Sequence, residues 1–273
     1  MKLSFFYPRW GSDYLPWDKF LFLVKDNNYD GVEIGIPVDK NEKDRVITLI
    51  KEHDLKFIAQ HWETKESNFK KHKEQYKRRL YDLVETAPLF INSHTGMDFF
   101  SFSENVKLLE LAHNIEQETK VLISHETHRS RFSFAAHICL PFLNELPFLK
   151  LTSDFSHWCC VAESLLENQS IAVQKAIEHT FHIHARVGSS QSTQVIDPRV
   201  DTYKTELNNF LGWWILMIKN AKNLNKSSIP ITPEHGPFPY ACLHPRTNEP
   251  LANQWEVNQF IKREISNKKK GAN

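Results

Sequence analysis

The chain has 273 residues, too long for a disulfide-stapled miniprotein and long enough to bury a large core, either as two ordinary domains or as one α/β barrel. Hydrophobic residues make up 41%, charged residues 25%, and there are only 8 Gly and 13 Pro, which excludes a disordered or fibrous chain. With 34 Lys+Arg against 33 Asp+Glu the formal charge is +1, so no global field draws the protein to nucleic acid or to an anionic bilayer, and any partner is recognised locally.

Eight short apolar or β-branched runs read as strands: Leu3 to Tyr7, Gly31 to Ile36, Lys56 to His61, Leu89 to His94, Val121 to Glu126, Leu149 to Asp154, Thr180 to His184 and Ile229 to Glu234. Their spacing is about one strand, one helix and two short loops. The stretches between them are amphipathic. Phe69, Tyr76, Leu80 and Leu83 mark one helical face, and Val106, Leu109, Ala112 and Ile115 a second, with Ser101 and Glu104 spaced as a capping box. Val257, Phe260, Ile261 and Ile265 mark the last. Eight βα units in one chain of this length are the arithmetic of a (β/α)8 TIM barrel. An open doubly wound sheet is the competing architecture, but the first strand is not followed by G-x-G-x-x-G and no P-loop occurs. No Pro-, Gly- or Ser-rich linker divides the chain, so residues 1–267 read as one domain and 268–273 as a frayed polar tail. The one oversized interval, Val187 to Tyr203, is expected to lie over the barrel mouth.

Alternate residues of a strand share a face, and in a barrel the C-terminal strand ends converge. In the eighth run Ile229 and Ile231 suit the helix layer, which turns Thr232 and Glu234 inward. The same count gives Ser124 and Glu126, Thr152 and Asp154, and His182 and His184. Four successive strands therefore aim Glu, Asp, His and Glu at one point. A single acid or imidazole at a strand end is usually a satisfied polar group or a helix cap. Three carboxylates that close repel one another, and a divalent cation relieves this; oxygen ligands with one imidazole suit Mn, Mg, Co or Zn.

The series S-H-E-T-H at 124–128, S-D-F-S-H-W at 153–158, H-I-H-A-R at 182–186 and P-E-H-G-P at 233–237 resembles the sugar isomerase/epimerase superfamily with the xylose isomerase-like barrel, over essentially the whole chain. The resemblance implies metal ligation by Glu126, Asp154, His184 and Glu234, with His157 near the substrate and the two glutamates doubling as proton-transfer groups. It implies a sugar or sugar-derivative substrate and carbohydrate metabolism. A cation chelating a carbonyl and its neighbouring hydroxyl acidifies the C–H bond between them and stabilises the enediolate. Glutamates on the fifth and eighth strands then remove and return the proton, and His157 polarises the carbonyl.

Further residues are expected at the substrate. Trp10, Trp62 and Trp158 follow strands one, three and six, where indole faces pack on a sugar. Arg186 and Arg199 hold hydroxyls, a carboxylate or a phosphate, and His61 and His94 are substrate-binding. His182 reads as an orienting partner of His184 or of Glu33. The sequence departs from familiar relatives at Arg186, where many carry an acid.

Two other readings stand beside this one. Gln60-His61 and S-H-T-G at 93–96 resemble zinc ligands of endonuclease IV-type enzymes acting on abasic DNA, but Asp197 is followed by Pro198 and Arg199 in place of the D-x-H pair. The basic run from Lys70 to Arg79 is interleaved with Glu74 and reads as a solvated helix face. The third reading is a barrel that binds a sugar or metal without turnover, against which stands the retention of two opposed glutamates.

The longest apolar run, Leu211 to Ile218, is far short of the roughly 20 residues of a membrane span. Met1 to Gly11 lacks the apolar core of a secretory signal, and Cys139, Cys159, Cys160 and Cys242 show no C-x-x-C spacing, so a reduced cytoplasmic protein is expected. Trp213, Trp214 and Ile215 fit either burial against the barrel or a homo-oligomer contact.

Overall fold

A computed structural model describes residues 1–271. Eight parallel strands close in sequence order into a barrel, each hydrogen-bonded to the next and the eighth to the first. They are β1 (Lys2–Pro8), β2 (Gly31–Gly35), β3 (Lys56–His61), β4 (Ile91–Ser93), β5 (Ile123–Glu126), β6 (Leu151–Ser153), β7 (Thr180–Ala185) and β8 (Ser228–Pro233). All eight expected runs carry a strand, and β4 and β6 are shorter than the apolar runs that contain them.

Around them lie α1 (Trp17–Asp26), α2 (Lys40–Glu52), α3 (Phe69–Val84), α4 (Phe102–Thr119), α5 (Ala136–Glu145), α6 (Phe155–Ala162), α7 (Ser170–His179), α8 (Lys204–Asn223) and α9 (Gln254–Gly271). The start of α4 follows from its sequence. The Ser101 side chain accepts from the Glu104 N–H while the Glu104 carboxylate accepts from the Ser101 N–H, which satisfies two of the donors a helix start leaves unpaired. None of the described helices is long and apolar enough to cross a membrane. The apolar stretch of α8 serves the barrel: Trp214 is buried, and Trp213 packs edge-on against Phe155 and Phe210. Helix α9 continues through Lys268 to Gly271, where a frayed tail was expected, and Lys269 Nζ donates to the Met1 carbonyl at 2.6 Å. Residues 272 and 273 lie outside the described residues.

Strand parity builds two separate cores. Outward residues such as Val32, Ile34, Ala59, Ile123, Ile183, Ile229 and Ile231 pack under the helices in one continuous layer. Inside the barrel, Phe6, Ile58 and Phe90 form a small apolar plug, with Leu122 and Phe181 against it, at the N-terminal ends of the strands. Above the plug the interior turns polar. Ser124 Oγ lies 2.7 Å from Thr152 Oγ1, Thr152 Oγ1 lies 3.3 Å from His182 Nδ1, and His182 Nε2 lies 2.9 Å from Thr232 Oγ1. Thr232 Oγ1 donates in turn to Glu33 Oε2 at 2.7 Å. This band of bonded hydroxyls and imidazole crosses from β5 to β8 and returns to β2. It is the floor on which the charged layer stands.

Gly31 sets how closely β2 and β3 approach. A Cβ at this position would stand 2.1 Å from the Lys56 carbonyl oxygen and 2.8 Å from the Phe6 ring. The first neighbour is backbone within a paired strand and has no room to yield. Gly31→Ala is therefore expected to cost roughly 3 kcal/mol by overpacking, read as a lower urea midpoint. An unchanged midpoint would show that the β2–β3 pair can spread.

Candidate active site

Directly above the hydroxyl layer, four carboxylates meet around one imidazole. Glu33 comes from β2, Glu126 from the end of β5, Asp154 from the residue after β6, His184 from β7 and Glu234 from the residue after β8, and all five are buried. One ligand atom each from Glu126, Asp154, His184 and Glu234 can be chosen so that all lie within 4.8 Å of one another. The four residues that the sequence aims at one point are thus brought together.

His184 is fixed from below. Its Nε2 lies 3.0 and 2.9 Å from the two oxygens of Glu33, so this nitrogen carries the proton and donates to that carboxylate. Its Nδ1 faces the opposite way, 2.8 Å from Glu234 Oε2 and 3.4 Å from Glu126 Oε2, without the alignment of a hydrogen bond to either. A buried ring nitrogen with no hydrogen-bond partner, amid three carboxylates, fits a divalent cation. The donor set of three oxygens and one nitrogen suits Mn, Mg, Co or Zn.

The surroundings pull the four acids apart. Burial raises the Glu126 carboxyl above its usual range and raises Asp154 to about 6, with Arg186 opposing the latter. Burial also works against ionisation of Glu33 and Glu234 and is the largest single influence at each, but His184 and His182 together at Glu33, and His184 and Arg186 together at Glu234, outweigh it, and both fall below the usual range. For His184, burial disfavours the charge, yet Glu234, Glu33 and Glu126 together raise its proton affinity well above that of an ordinary histidine.

The carboxylate layer opens into a cavity of about 710 Å³. Glu33, Glu126 and Glu234 reach its wall. Trp10, Trp62, His94 and Arg186 line it as expected, joined by Trp17 and Tyr240. His94 Nε2 lies 2.8 Å from Glu126 Oε2, and Asn92 Nδ2 donates to the same oxygen at 2.9 Å and to Glu33 at 2.8 Å. Asn92 is a site residue the sequence reading missed, although it shares strand parity with the inward Phe90. Tyr240 is another, placed edge-on to Trp10 with ring centroids 5.2 Å apart. It comes from an irregular segment where no periodicity points to it.

Four expected residues do not reach the cavity wall. His61 is wholly buried between β3 and α3, with its nitrogens 3.0 Å from Ser93 Oγ and 2.7 Å from Thr64 Oγ1. Strand parity turns its neighbour Gln60, and not His61, to the cavity. Trp158 is a core residue, its Nε1 donating to the Ser133 carbonyl at 2.6 Å and its ring stacked on Phe155. Arg199 is tied to Asp197 and to Glu256 on α9, away from the cavity. His157 is fully buried and absent from the cavity wall. It stands directly behind that wall, its ring centroid 4.0 Å from that of the cavity residue His128 and its Nε2 3.7 Å from Asp154 Oδ2, because Asp154 caps the start of α6, which carries it.

The long segment after β7 contributes no residue to the cavity wall. Its Gln194 side chain accepts from the Gly236 N–H at 2.7 Å and donates to the Gly236 carbonyl at 3.0 Å, which pins it to the loop after β8.

No family model matches this sequence, and no curated protein does. Solved structures do. A xylose isomerase-like TIM barrel protein from Mycobacterium smegmatis in complex with magnesium superposes with a TM-score of 0.62 at 12% identity, covering 97% of this chain and 97% of that one. The 3-keto-D-glucoside 4-epimerase of E. coli gives 0.59 at 14% identity, covering 97% of this chain and 100% of that one. Endonuclease IV from Thermus thermophilus gives 0.55 at 12% identity, covering 97% and 98%. At such identities the likeness establishes architecture and leaves the reaction to the residues of the site. The chain has the fold of the xylose isomerase-like TIM barrels.

Proposed function

We propose that this protein is a divalent-metal-dependent sugar isomerase or epimerase of a reducing, cytoplasmic compartment, in which Glu126 and Glu234 transfer a proton to and from a carbon beside a carbonyl. The observation that carries this reading is the placement of the two glutamates. Both reach the cavity wall, while their oxygens flank His184 Nδ1 from strands β5 and β8. Holding a metal does not by itself require both glutamates to line the cavity as well. Such a pair suits removal of a proton from one face of a carbon and its return to the other.

A divalent ion held by Glu126, Asp154, His184 and Glu234 would supply the Lewis acidity that makes a C–H bond next to a carbonyl removable at neutral pH. The chain's own groups do the rest. Asn92 and His94 hold the Glu126 carboxylate by the same oxygen, which leaves its other oxygen for the proton. The side chains of Trp10, Trp17, Trp62 and Tyr240 supply apolar walls against which a sugar ring packs. That Cys139, Cys159, Cys160 and Cys242 are all free supports the compartment.

The similar E. coli structure is an epimerase of a keto-glucoside, which supports a carbohydrate substrate here. Against the nuclease reading stands His61, whose nitrogens are engaged by Ser93 of β4 and by Thr64 after β3 on the outer side of the barrel, away from the carboxylates.

The test is a panel of ketoses, aldoses and keto-sugars incubated with the protein in D₂O, with Mn, Mg, Co or Zn supplied in turn and deuterium at carbon read by NMR. Metal-dependent incorporation is expected with at least one sugar. Absence of exchange together with nicking of an abasic oligonucleotide would overturn the assignment in favour of the nuclease.

A further inference from the structure

We propose that Arg186 is a resident cation of the carboxylate centre that competes with the divalent ion for Asp154 and Glu234. This rests on the metal reading above and adds to it a reason for weak, exchangeable binding of the ion.

The position follows from the strand. Arg186 stands two residues beyond His184, so the parity that sends His182 and His184 inward sends Arg186 inward as well, one layer higher. Its guanidinium is buried and reaches two of the four ligand residues at once. Nε donates to Asp154 Oδ2 at 3.0 Å, and Nη2 donates to Glu234 Oε2 at 2.7 Å. The second oxygen of Asp154 is also engaged, accepting from the Ser156 N–H at 3.0 Å and from its hydroxyl at 2.5 Å. Glu234 Oε2 is moreover the oxygen 2.8 Å from His184 Nδ1. An ion drawing on Asp154 and Glu234 therefore meets oxygens already held by a charge the protein cannot lose.

The guanidinium is also held in place from its faces. Its central carbon lies 4.5 Å from the Tyr240 ring centroid and 5.5 Å from that of Trp10, while Nη1 is 3.4 Å from Gln194 Oε1. The aromatic contacts favour the cation where it stands, and one hydrogen bond to each of two carboxylates fixes its orientation. Four buried acids thus carry their own counter-charge, so the centre stays ordered when no ion is bound. The same charge, a few ångströms from any ion in the site, repels it.

The experiment measures Mn²⁺ affinity by calorimetry for the wild-type protein, Arg186→Met, Arg186→Gln and Arg186→Lys. The two neutral variants are expected to bind Mn²⁺ at least tenfold more tightly than wild type, and Arg186→Lys to stay within about threefold of it. Damage to the fold lowers affinity, and only removal of a competitor raises it, so a structural role cannot mimic the result. Either neutral variant decides the matter if the other fails to fold. Equal or weaker binding by the neutral variants, with wild type binding normally, overturns the competitor role and leaves the metal reading intact. No binding by any of the four proteins removes the metal reading and this inference together.

Discussion

Glu126→Gln and Glu234→Gln are each expected to lower deuterium exchange at substrate carbon by about 10²- to 10⁴-fold, the range a positioned general acid or base contributes. The substitution keeps shape and one oxygen but removes the basic lone pair. In the first variant the amide oxygen can still turn towards Asn92 and His94, which converge on the single atom Glu126 Oε2 in the native site. In the second the amide oxygen can still accept from Arg186 Nη2, the contact made at 2.7 Å by Glu234 Oε2. The fold and substrate affinity should therefore change little, and the loss should appear in kcat rather than in KM. Paired measurements of metal content and exchange rate separate the alternatives. A variant that retains bound metal and sugar but exchanges no proton marks that glutamate as a base. Exchange at the wild-type rate in both variants would show that the proton moves by another route and would remove the mechanism.

Most of the barrel was legible because strand period and helix period differ so sharply. Parity along β5, β6, β7 and β8 identifies Glu126, Asp154, His184 and Glu234 without any knowledge of the turns between them. The same parity, carried to β2, β3 and β4, places Glu33, Gln60 and Asn92 inward, as the structure has them. What points His61 to the substrate is only its place at a strand end, and that criterion ignores which face the residue takes. Proximity to a strand end says how high a side chain stands in the barrel and nothing about inside or outside. Trp158 and His157 miss the cavity wall for a second reason. The Asp154 side chain accepts from the Ser156 N–H and starts α6 there, so the chain turns from strand to helix within one residue and strand parity no longer applies. Tyr240 and Trp17 reach the cavity from loop and helix start, where position depends on tertiary packing alone. Arg186 is the instructive case. Its type and place were visible, but that it pairs with two of the acids, and so offers a second means of relieving their repulsion, required the distances.

Acidification is expected to unfold the metal-free protein between about pH 6 and pH 4.5. Seven histidines, five of them buried and His94 and His128 partly so, are held neutral in the fold, with desolvation the largest cause at each: His94, His125, His128 and His182 fall to about 3, His235 to about 4, and His61 and His157 well below the ordinary value. In the unfolded chain each protonates near 6.5. Between roughly pH 6.5 and the folded values the unfolded state binds more protons, so stability rises with pH across that window and is lost as pH falls through it. Each such histidine contributes about 1.4 kcal/mol per pH unit once the pH is well below 6.5. His61, His125 and His235, which lie outside the four-acid cluster, together give roughly 4 kcal/mol per pH unit, against a typical total stability of about 5–15 kcal/mol. Asp154 and Glu126 act in the opposite sense, because burial raises their folded values and makes the fold take up protons on acidification. His184 likewise gains stability below its raised value. Three groups against seven leave the acid loss dominant. Calorimetric scans in EDTA from pH 7.5 to 5 should show Tm falling steeply below pH 6, and unfolding enthalpies in two buffers of different ionisation heat should reveal uptake of about three or more protons at pH 5.5. A Tm that holds level or climbs over that interval would mean that these imidazoles are already charged in the fold, and the buried neutral histidines on which the barrel packs would have to be abandoned.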